Sequence, residues 1–332
     1  MDHILLIRLK SMGDVVFTLP AVHALRENFP AAKISFLTSK ENGPLLRGFR
    51  AVDKILTLDR ALLSAGHPLK IAGELFPLLR QLRAEEYSLV LDFQGYGESE
   101  LLSWWSGASA RWGIVYKPAR GWMYTGTSFR ISGTHPAEWN LDLLRAAGLN
   151  PGPVRNDYVL PASDLALARE FFAAQELDCQ QPTLFVQPFT SSAAKNWPLE
   201  HFLEVARHWR SRGGQIIFGG GPAERTALEP ARAAGFAVAA GAPLLVSAGL
   251  MNLSTLVVGG DTGLLHLAVA LGRRVIMLMR TNDTGSSHPF EHPDWTVKPA
   301  AGKAMAEIEP SQVLDAVEQA FTELHTPLRL GA

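Results

Sequence analysis

The 332-residue chain has a single cysteine, Cys179, so it can form neither an intramolecular disulfide nor a thiolate metal cluster. No apolar run approaches the roughly 18 residues a membrane-spanning helix needs, and Met1-Asp2-His3 lacks the basic stretch that opens a secretory signal. The expectation is therefore a cytoplasmic protein, in which Asn252-Leu253-Ser254 has no weight as a glycosylation site. A phosphate-binding loop ending in Gly-Lys-Ser/Thr, a His-Glu-x-x-His pair and a Gly-x-Ser-x-Gly elbow are all missing. No Asp-x-Asp pair is present to hold a divalent cation, so any bound diphosphate must be neutralised by protein groups. Charge of one sign is scarce as well. Residues 1–150 hold 17 Lys/Arg against 14 Asp/Glu and the remainder 14 against 18, giving +3 and −4. So mild an asymmetry argues against nucleic acid as a partner, though grouped bases can still meet a small anion.

Apolar residues make up 47% and charged residues 19%, the balance of a globular α/β chain. The length exceeds what one hydrophobic core usually serves, so two domains are expected. His3 to Leu9 is nearly continuously apolar, as in a central parallel strand covered on both faces. A short loop follows, and then Val15, Leu19, Val22 and Leu25 at helical spacing, with Pro20 near the helix start. Further strands are expected at 33–38, 54–58 and 88–92, with helices at 70–84, 98–105 and 136–147. Asn150-Pro151-Gly152-Pro153 interrupts this series, placing a linker at about 150–162. A second α/β series follows, with strands at 183–187, 215–218, 255–258 and 274–278, helices at 164–175, 199–210 and 263–271, and a terminal helix at 311–324. The domains expected are 1–150 and 163–310, followed by a helix and tail at 311–332.

In open α/β sheets ligands sit beyond the carboxyl ends of the strands, so the loops after the strands carry the functional argument. In Ser11-Met12-Gly13-Asp14, Gly13 allows a tight turn, and Asp14 either faces a cleft or simply caps the next helix. In Gln187 to Pro198, hydroxyls followed by Lys195 make a cradle for phosphate oxygens, or else a polar loop with a surface lysine. Gly219-Gly220-Gly221 permits close backbone approach but is not the dinucleotide fingerprint. Gly259-Gly260-Asp261-Thr262-Gly263-Leu264-Leu265-His266 leads into a helix whose amino end suits a diphosphate. There Asp261 can be a cap and His266 a satisfied helical histidine.

Taken together, these loops resemble the ADP-heptose:lipopolysaccharide heptosyltransferase family, glycosyltransferase family 9. The resemblance rests on Ser11-Met12-Gly13-Asp14-Val15 with Thr18-Leu19-Pro20, Asp92-Phe93-Gln94-Gly95, Lys195-Asn196-Trp197-Pro198 and Asp261 to His266. It implies two Rossmann-like domains facing across a cleft, the GT-B arrangement, with an acceptor-binding first domain and a nucleotide-sugar-binding second. Asp14 then matches the catalytic base, and Thr190, Ser191 and Lys195 the phosphate-binding group. Glu224 matches the ribose contact, Asp261 the donor-sugar carboxylate, and Thr262, Gly263 and His266 the site at the helix start. The implied reaction is inverting heptose transfer from ADP-heptose, needing no metal cofactor. The implied acceptor is the anionic inner core of lipopolysaccharide, Kdo-lipid A or a first heptose on it, with the first-heptose enzyme the closer match.

Candidate acceptor-facing bases are Lys10, Arg60, Arg111, Lys117 and Arg120, each alternatively a solvated surface charge. The expectation is a monomer working in the cytoplasm against the inner membrane. Trp104, Trp105, Trp112 and Trp122 are expected to pack in the core rather than to meet a membrane. Many family members continue after the last donor-domain strand with Gly-Pro-Thr; this chain has Met279 to Thr284 and then His288-Pro289-Phe290-Glu291-His292-Pro293. The departure leaves the donor sugar open, and the intervening prolines argue against metal binding by His288, Glu291 and His292. The rival functions are a family member with another sugar nucleotide or acceptor, a nucleotide-sugar epimerase, and a non-catalytic sugar-nucleotide-binding regulator.

Overall fold

A computed structural model describes residues 2–64, 66–116, 121–280 and 287–325. The chain divides into two compact units, with the boundary between Val159 and Leu160. In the first unit, strands β1 (His3–Ile7), β2 (Lys33–Ser39), β3 (Lys54–Leu58), β4 (Leu89–Asp92), β5 (Ala110–Val115) and β6 (Gly126–Phe129) form one sheet in the order β3-β2-β1-β4-β5-β6. Every pairing is parallel. Its helices are α1 (Met12–Val16), α2 (Leu19–Asn28), α3 (Arg60–Ser64), α4 (Pro68–Ala84), α5 (Gly97–Trp105) and α6 (Pro136–Ala146). Strand order reverses between β1 and β4, so the loops leaving these two neighbours flank the crevice where such sheets bind ligands.

The second unit repeats this plan. Strands β7 (Thr183–Gln187), β8 (Gln215–Gly220), β9 (Ala237–Ala240), β10 (Leu256–Gly260), β11 (Arg274–Leu278) and β12 (Thr296–Val297) are ordered β12-β11-β10-β7-β8-β9, again all parallel. Counted from its own first strand, the order is the same as in the first unit, and the reversal falls between β7 and β10. The helices are α7 (Ala162–Ala174), α8 (Leu199–Ser211), α9 (Glu229–Ala233), α10 (Leu244–Leu253), α11 (Gly263–Ala270) and α12 (Pro310–His325). Helix α12 belongs to this core, because Val313, Val317 and Ala320 are buried against the same cluster as Trp197, Phe202 and Trp209.

Three features differ from the sequence expectation. The single helix expected after the first strand is two helices, because Pro20 has no N–H and its ring clashes with a continued helix one turn earlier. Thr18 bridges the break, its hydroxyl donating to the Val15 carbonyl at 2.7 Å. Strands β5, β6, β9 and β12 and helices α3, α9 and α10 were not foreseen. In β5 and β6 glycines replace apolar residues because aromatic rings occupy the space: a Cβ on Gly113 would lie 2.3 Å from the Tyr124 ring. Trp104, Trp105 and Trp122 are exposed rather than in the core, and Trp112 is half-buried, its ring lying over Gly126.

Candidate active site

In the first unit the site begins where β1 ends. Arg8 follows four fully buried strand residues and is itself only 6% exposed, so its guanidinium must be paired within the protein. One nitrogen pairs with Asp14 Oδ2 at 2.6 Å, and another donates to the Phe93 carbonyl beyond β4. Asp14 is the third residue of α1, where its carboxylate also accepts from the Ser11 N–H at 3.0 Å and the Ser11 hydroxyl at 3.2 Å. It is therefore both a helix cap and the counter-charge of Arg8, and 31% of its side chain stays open. Burial works to raise its pKa. Arg8 and the Ser11 hydrogen bonds outweigh that and hold the carboxyl below its ordinary range.

Asp92-Phe93-Gln94-Gly95 braces this loop. Gln94 Oε1 accepts from the N–H groups of Leu9 at 3.2 Å and Lys10 at 3.1 Å. Asp92, fully buried, accepts from the N–H groups of Gln94 at 2.8 Å and Gly95 at 3.2 Å and from the Tyr124 hydroxyl. Burial dominates here and pushes the Asp92 pKa up. Gly95 sits at φ 68°, where a Cβ would lie 1.6 Å from the Ile114 carbonyl oxygen, so only glycine fits the turn.

Around the same loops lies a group of which sequence reasoning named only Lys10. Tyr96 and Tyr116 stack with centroids 5.3 Å apart, and the Tyr116 hydroxyl donates to that of Tyr96 at 2.6 Å. Lys10 Nζ sits 5.0 Å from the Tyr96 ring centroid, and the Arg130 guanidinium 3.9 Å from that of Tyr116. Arg130 also donates to the Gln94 carbonyl at 3.3 Å, while burial lowers its pKa. Arg130 follows β6, a strand too short and polar to be foreseen. Arg8 left a fainter signal, as the one charge inside an apolar run.

The structure separates the expected acceptor-facing bases. Lys10 lies at this end of the sheet, and so does Arg60, which starts α3 and pairs with Glu98 at 3.0 Å. Arg111 is at the amino end of β5, opposite the Asp14 loop, and its guanidinium is tied to the carbonyls of Met123 and Ala108. Lys117 and Arg120 lie outside the described residues, as do Thr281, Asn282, Asp283 and Thr284 of the departing loop. His292 stacks on Trp295 with ring centroids 3.6 Å apart.

In the second unit each residue of Lys195-Asn196-Trp197-Pro198 has its own task. Trp197 is 2% exposed and donates to the Ile308 carbonyl at 2.9 Å, anchoring the loop in the core. Asn196 Oδ1 accepts from the Thr190 N–H at 2.8 Å, closing the loop on itself, and Pro198 is the N-cap of α8. With the loop fixed, Lys195 Nζ reaches Asp261 Oδ2 at 2.6 Å, across the reversal between β7 and β10. His266 Nε2 meets the other oxygen of Asp261 at 3.1 Å. Burial would raise the Asp261 pKa, but His266 and Lys195 together bring it down to about 2. Gly260 allows the close approach, since a Cβ there would lie 2.5 Å from the Thr190 methyl group.

Thr262 caps α11, accepting from the Leu265 N–H at 3.4 Å. The N–H groups of Gly263 and Leu264 precede the first intrahelical donors, the Leu265 and His266 N–H groups that bond the Thr262 carbonyl, so the positive end of the helix dipole lies beside the Lys195–Asp261 pair. Ser191 is exposed and Thr190 half-buried, its hydroxyl donating to the Ser192 carbonyl at 2.8 Å. Glu224 follows β8 at the same end of the sheet, with its carboxylate folded back over Gly221. Thr190, Ser191, Lys195, Glu224, Asp261, Thr262, Gly263 and His266 thus all lie at one end of one sheet.

The sequence model described as glycosyltransferase family 9 (heptosyltransferase) matches residues 75–314. Lipopolysaccharide heptosyltransferase 1 of Escherichia coli K12 is 25% identical over 291 residues, covering 85% of this chain and 89% of that protein. Among solved structures, the family 9 glycosyl transferase of Veillonella parvula aligns with a TM-score of 0.84 at 19% identity, covering 97% of this chain and 98% of the other. The E. coli heptosyltransferase WaaC with ADP aligns with a TM-score of 0.77 at 22% identity over 96% of this chain and 99% of its own. Both share the two-sheet α/β fold seen here.

Proposed function

The chain belongs to glycosyltransferase family 9, and on that premise we propose that it moves a heptose from ADP-heptose to the anionic inner core of lipopolysaccharide, with inversion and without a metal. The acceptor is Kdo-lipid A or a first heptose on it, met at the inner face of the membrane. The observation that carries the reading is the Lys195–Asp261–His266 array beside the open amino end of α11. That combination suits a sugar diphosphate: a cation and free N–H groups for the phosphates, and a carboxylate for sugar hydroxyls. The ADP held by WaaC supports the choice of nucleotide.

Asp14 acts as the base. Its lowered pKa leaves it ionised at neutral pH, and its open side takes the proton from an acceptor hydroxyl. That oxygen bonds to the anomeric carbon as the bond from carbon to the diphosphate oxygen breaks on the opposite face. The transition state is oxocarbenium-like, and the electron pair leaves on ADP. Lys195 and the α11 amino end stabilise the departing charge. Glu224 holds the ribose and Asp261 the donor sugar. Lys10 and Arg60, joined by Arg130 over its tyrosine stack, receive the acceptor's anionic groups.

The test is transfer from ADP-heptose to a panel of deep-rough lipid A acceptors, read by mass spectrometry with a chelator present. The expected result is a product heavier by one heptose and ADP release that depends on acceptor. Conversion of the donor without acceptor would favour an epimerase, and tight donor binding with no turnover on any acceptor would favour a regulator.

A further inference from the structure

Helices α4 and α5 lie side by side over the apolar cluster on one face of the first sheet, contributing Leu78, Leu82 and Leu102 to it. Their outward side is apolar and cationic. Leu69 is 88% exposed, Phe76 69%, Trp104 49% and Trp105 43%. Lys70, Arg80 and Arg83 are the exposed charges of α4. Neither helix exposes a carboxylate: Glu74 is half-buried and accepts from the Asp59 N–H, Glu98 pairs with Arg60, and Glu100 is 8% exposed. Isolated exposed apolar residues are ordinary, but several on two neighbouring helices, two of them tryptophans in ring contact, beside exposed charge of one sign, are not.

Where the two helices end there is a cavity of about 390 Å³ lined by Arg83, Trp104, Trp105, Gly107 and Arg111. Arg83 donates to the Trp105 carbonyl at 3.2 Å, and Arg111 to that of Met123 at 2.9 Å. Among the described residues neither guanidinium is paired with a carboxylate, so both can serve an external anion. Trp122, 77% exposed, directly precedes Met123, whose carbonyl accepts from Arg111.

We propose that this face docks the protein on an anionic phospholipid bilayer. The indole and phenyl rings enter the boundary between headgroups and chains, the α4 cations meet the surface charge, and the Arg83–Arg111 cavity takes a lipid phosphate. This deepens the reading of the acceptor as a membrane-borne glycolipid by naming the surface that meets the membrane.

The test uses the full chain in flotation with vesicles of phosphatidylcholine, alone or mixed with phosphatidylglycerol. Neither lipid carries a sugar acceptor, so binding is judged independently of transfer. The protein should float with the anionic vesicles, stay behind with the neutral ones, and come off at about 0.5 M salt, where the screening length is a few ångströms. Two solvent-facing double variants, Phe76→Ser with Trp104→Ser and Lys70→Glu with Arg80→Glu, should each lower partitioning by about tenfold or more. Turnover on a water-soluble acceptor should not change. The proposal is overturned if the wild type ignores anionic vesicles or if both variants float like the wild type. It is equally overturned if the variants change the oligomeric state without lipid, which would assign the face to a second copy.

Discussion

Replacing Arg8 with methionine removes the charge that keeps Asp14 ionised while keeping much of the buried stem's volume. Asp14 is opposed first by burial and sustained by the guanidinium 2.6 Å away. At that separation two unit charges attract by ~1.6 kcal/mol at the dielectric constant of water and by ~6 kcal/mol at an effective constant near 20. Because 31% of the Asp14 side chain is exposed, the lower figure sets the minimum effect. Losing Arg8 therefore raises the Asp14 pKa, because burial is then opposed only by the Ser11 hydrogen bonds. The sign follows from the wild-type direction. With its pKa lowered, Asp14 is in the base form from neutral pH down through the ordinary carboxylate range, and activity falls only below it; in the variant burial meets less opposition and the fall begins at higher pH. The assay is kcat/KM against pH, whose acid limb reports the free enzyme's base. Arg8→Lys keeps a cation and should return the limb most of the way. A folded Arg8→Met enzyme, verified by circular dichroism and melting, whose acid limb coincides with that of the wild type would refute the coupling.

Lys195→Ala should weaken ADP-sugar binding, measured by calorimetry, by roughly 10- to 100-fold, the worth of one hydrogen bond to a charged group, and should slow transfer as well; unchanged kinetics would count against its phosphate role. Asp261→Asn should cost stability at neutral pH. The Asp261 pKa is depressed from 3.8 to about 2, worth roughly 2 kcal/mol that is fully present above pH ~4 and lost as pH falls toward ~2. Urea unfolding of wild type and variant should therefore converge as the pH is lowered through that window, and a gap independent of pH would contradict the assignment.

The parts of the fold that show in the sequence are those where burial leaves no choice of residue. β1, β7, β10 and β11 are covered on both faces, so apart from their end residues they are apolar or glycine. The edge strands β6 and β9 carry small or polar residues, and β5 contains Gly113 beneath a tyrosine ring, so periodicity fails there. Helix α10 was hidden for the opposite reason: seven consecutive residues, Leu245 to Met251, are buried, which erases any amphipathic stripe. The exposed tryptophans misled in the other direction, since nothing local distinguishes an indole in the core from one on a surface.

The candidate site shows the same division. Asp14, Lys195, Asp261 and His266 stand in the loops that follow strands or in the first turns of the helices those loops enter, where the chain's order brings them to notice. What holds them in place is long-range or masked by context. Arg8 looks like part of a strand, Gln94 reaches back 85 residues to the Leu9 N–H, and Lys195 meets Asp261 across 66 residues. Arg130 depends on a strand that was itself unforeseen. Pairings of this kind follow from sheet order, which no single segment specifies.

The most direct measurement is single-turnover transfer by Asp14→Asn, alongside its affinity for ADP-sugar. If Asp14 removes the acceptor proton, donor affinity stays within about twofold while the transfer rate falls by roughly 10²- to 10⁴-fold. A folded Asp14→Asn protein that binds donor and transfers at near wild-type rate would contradict the assignment of the base and the mechanism built on it.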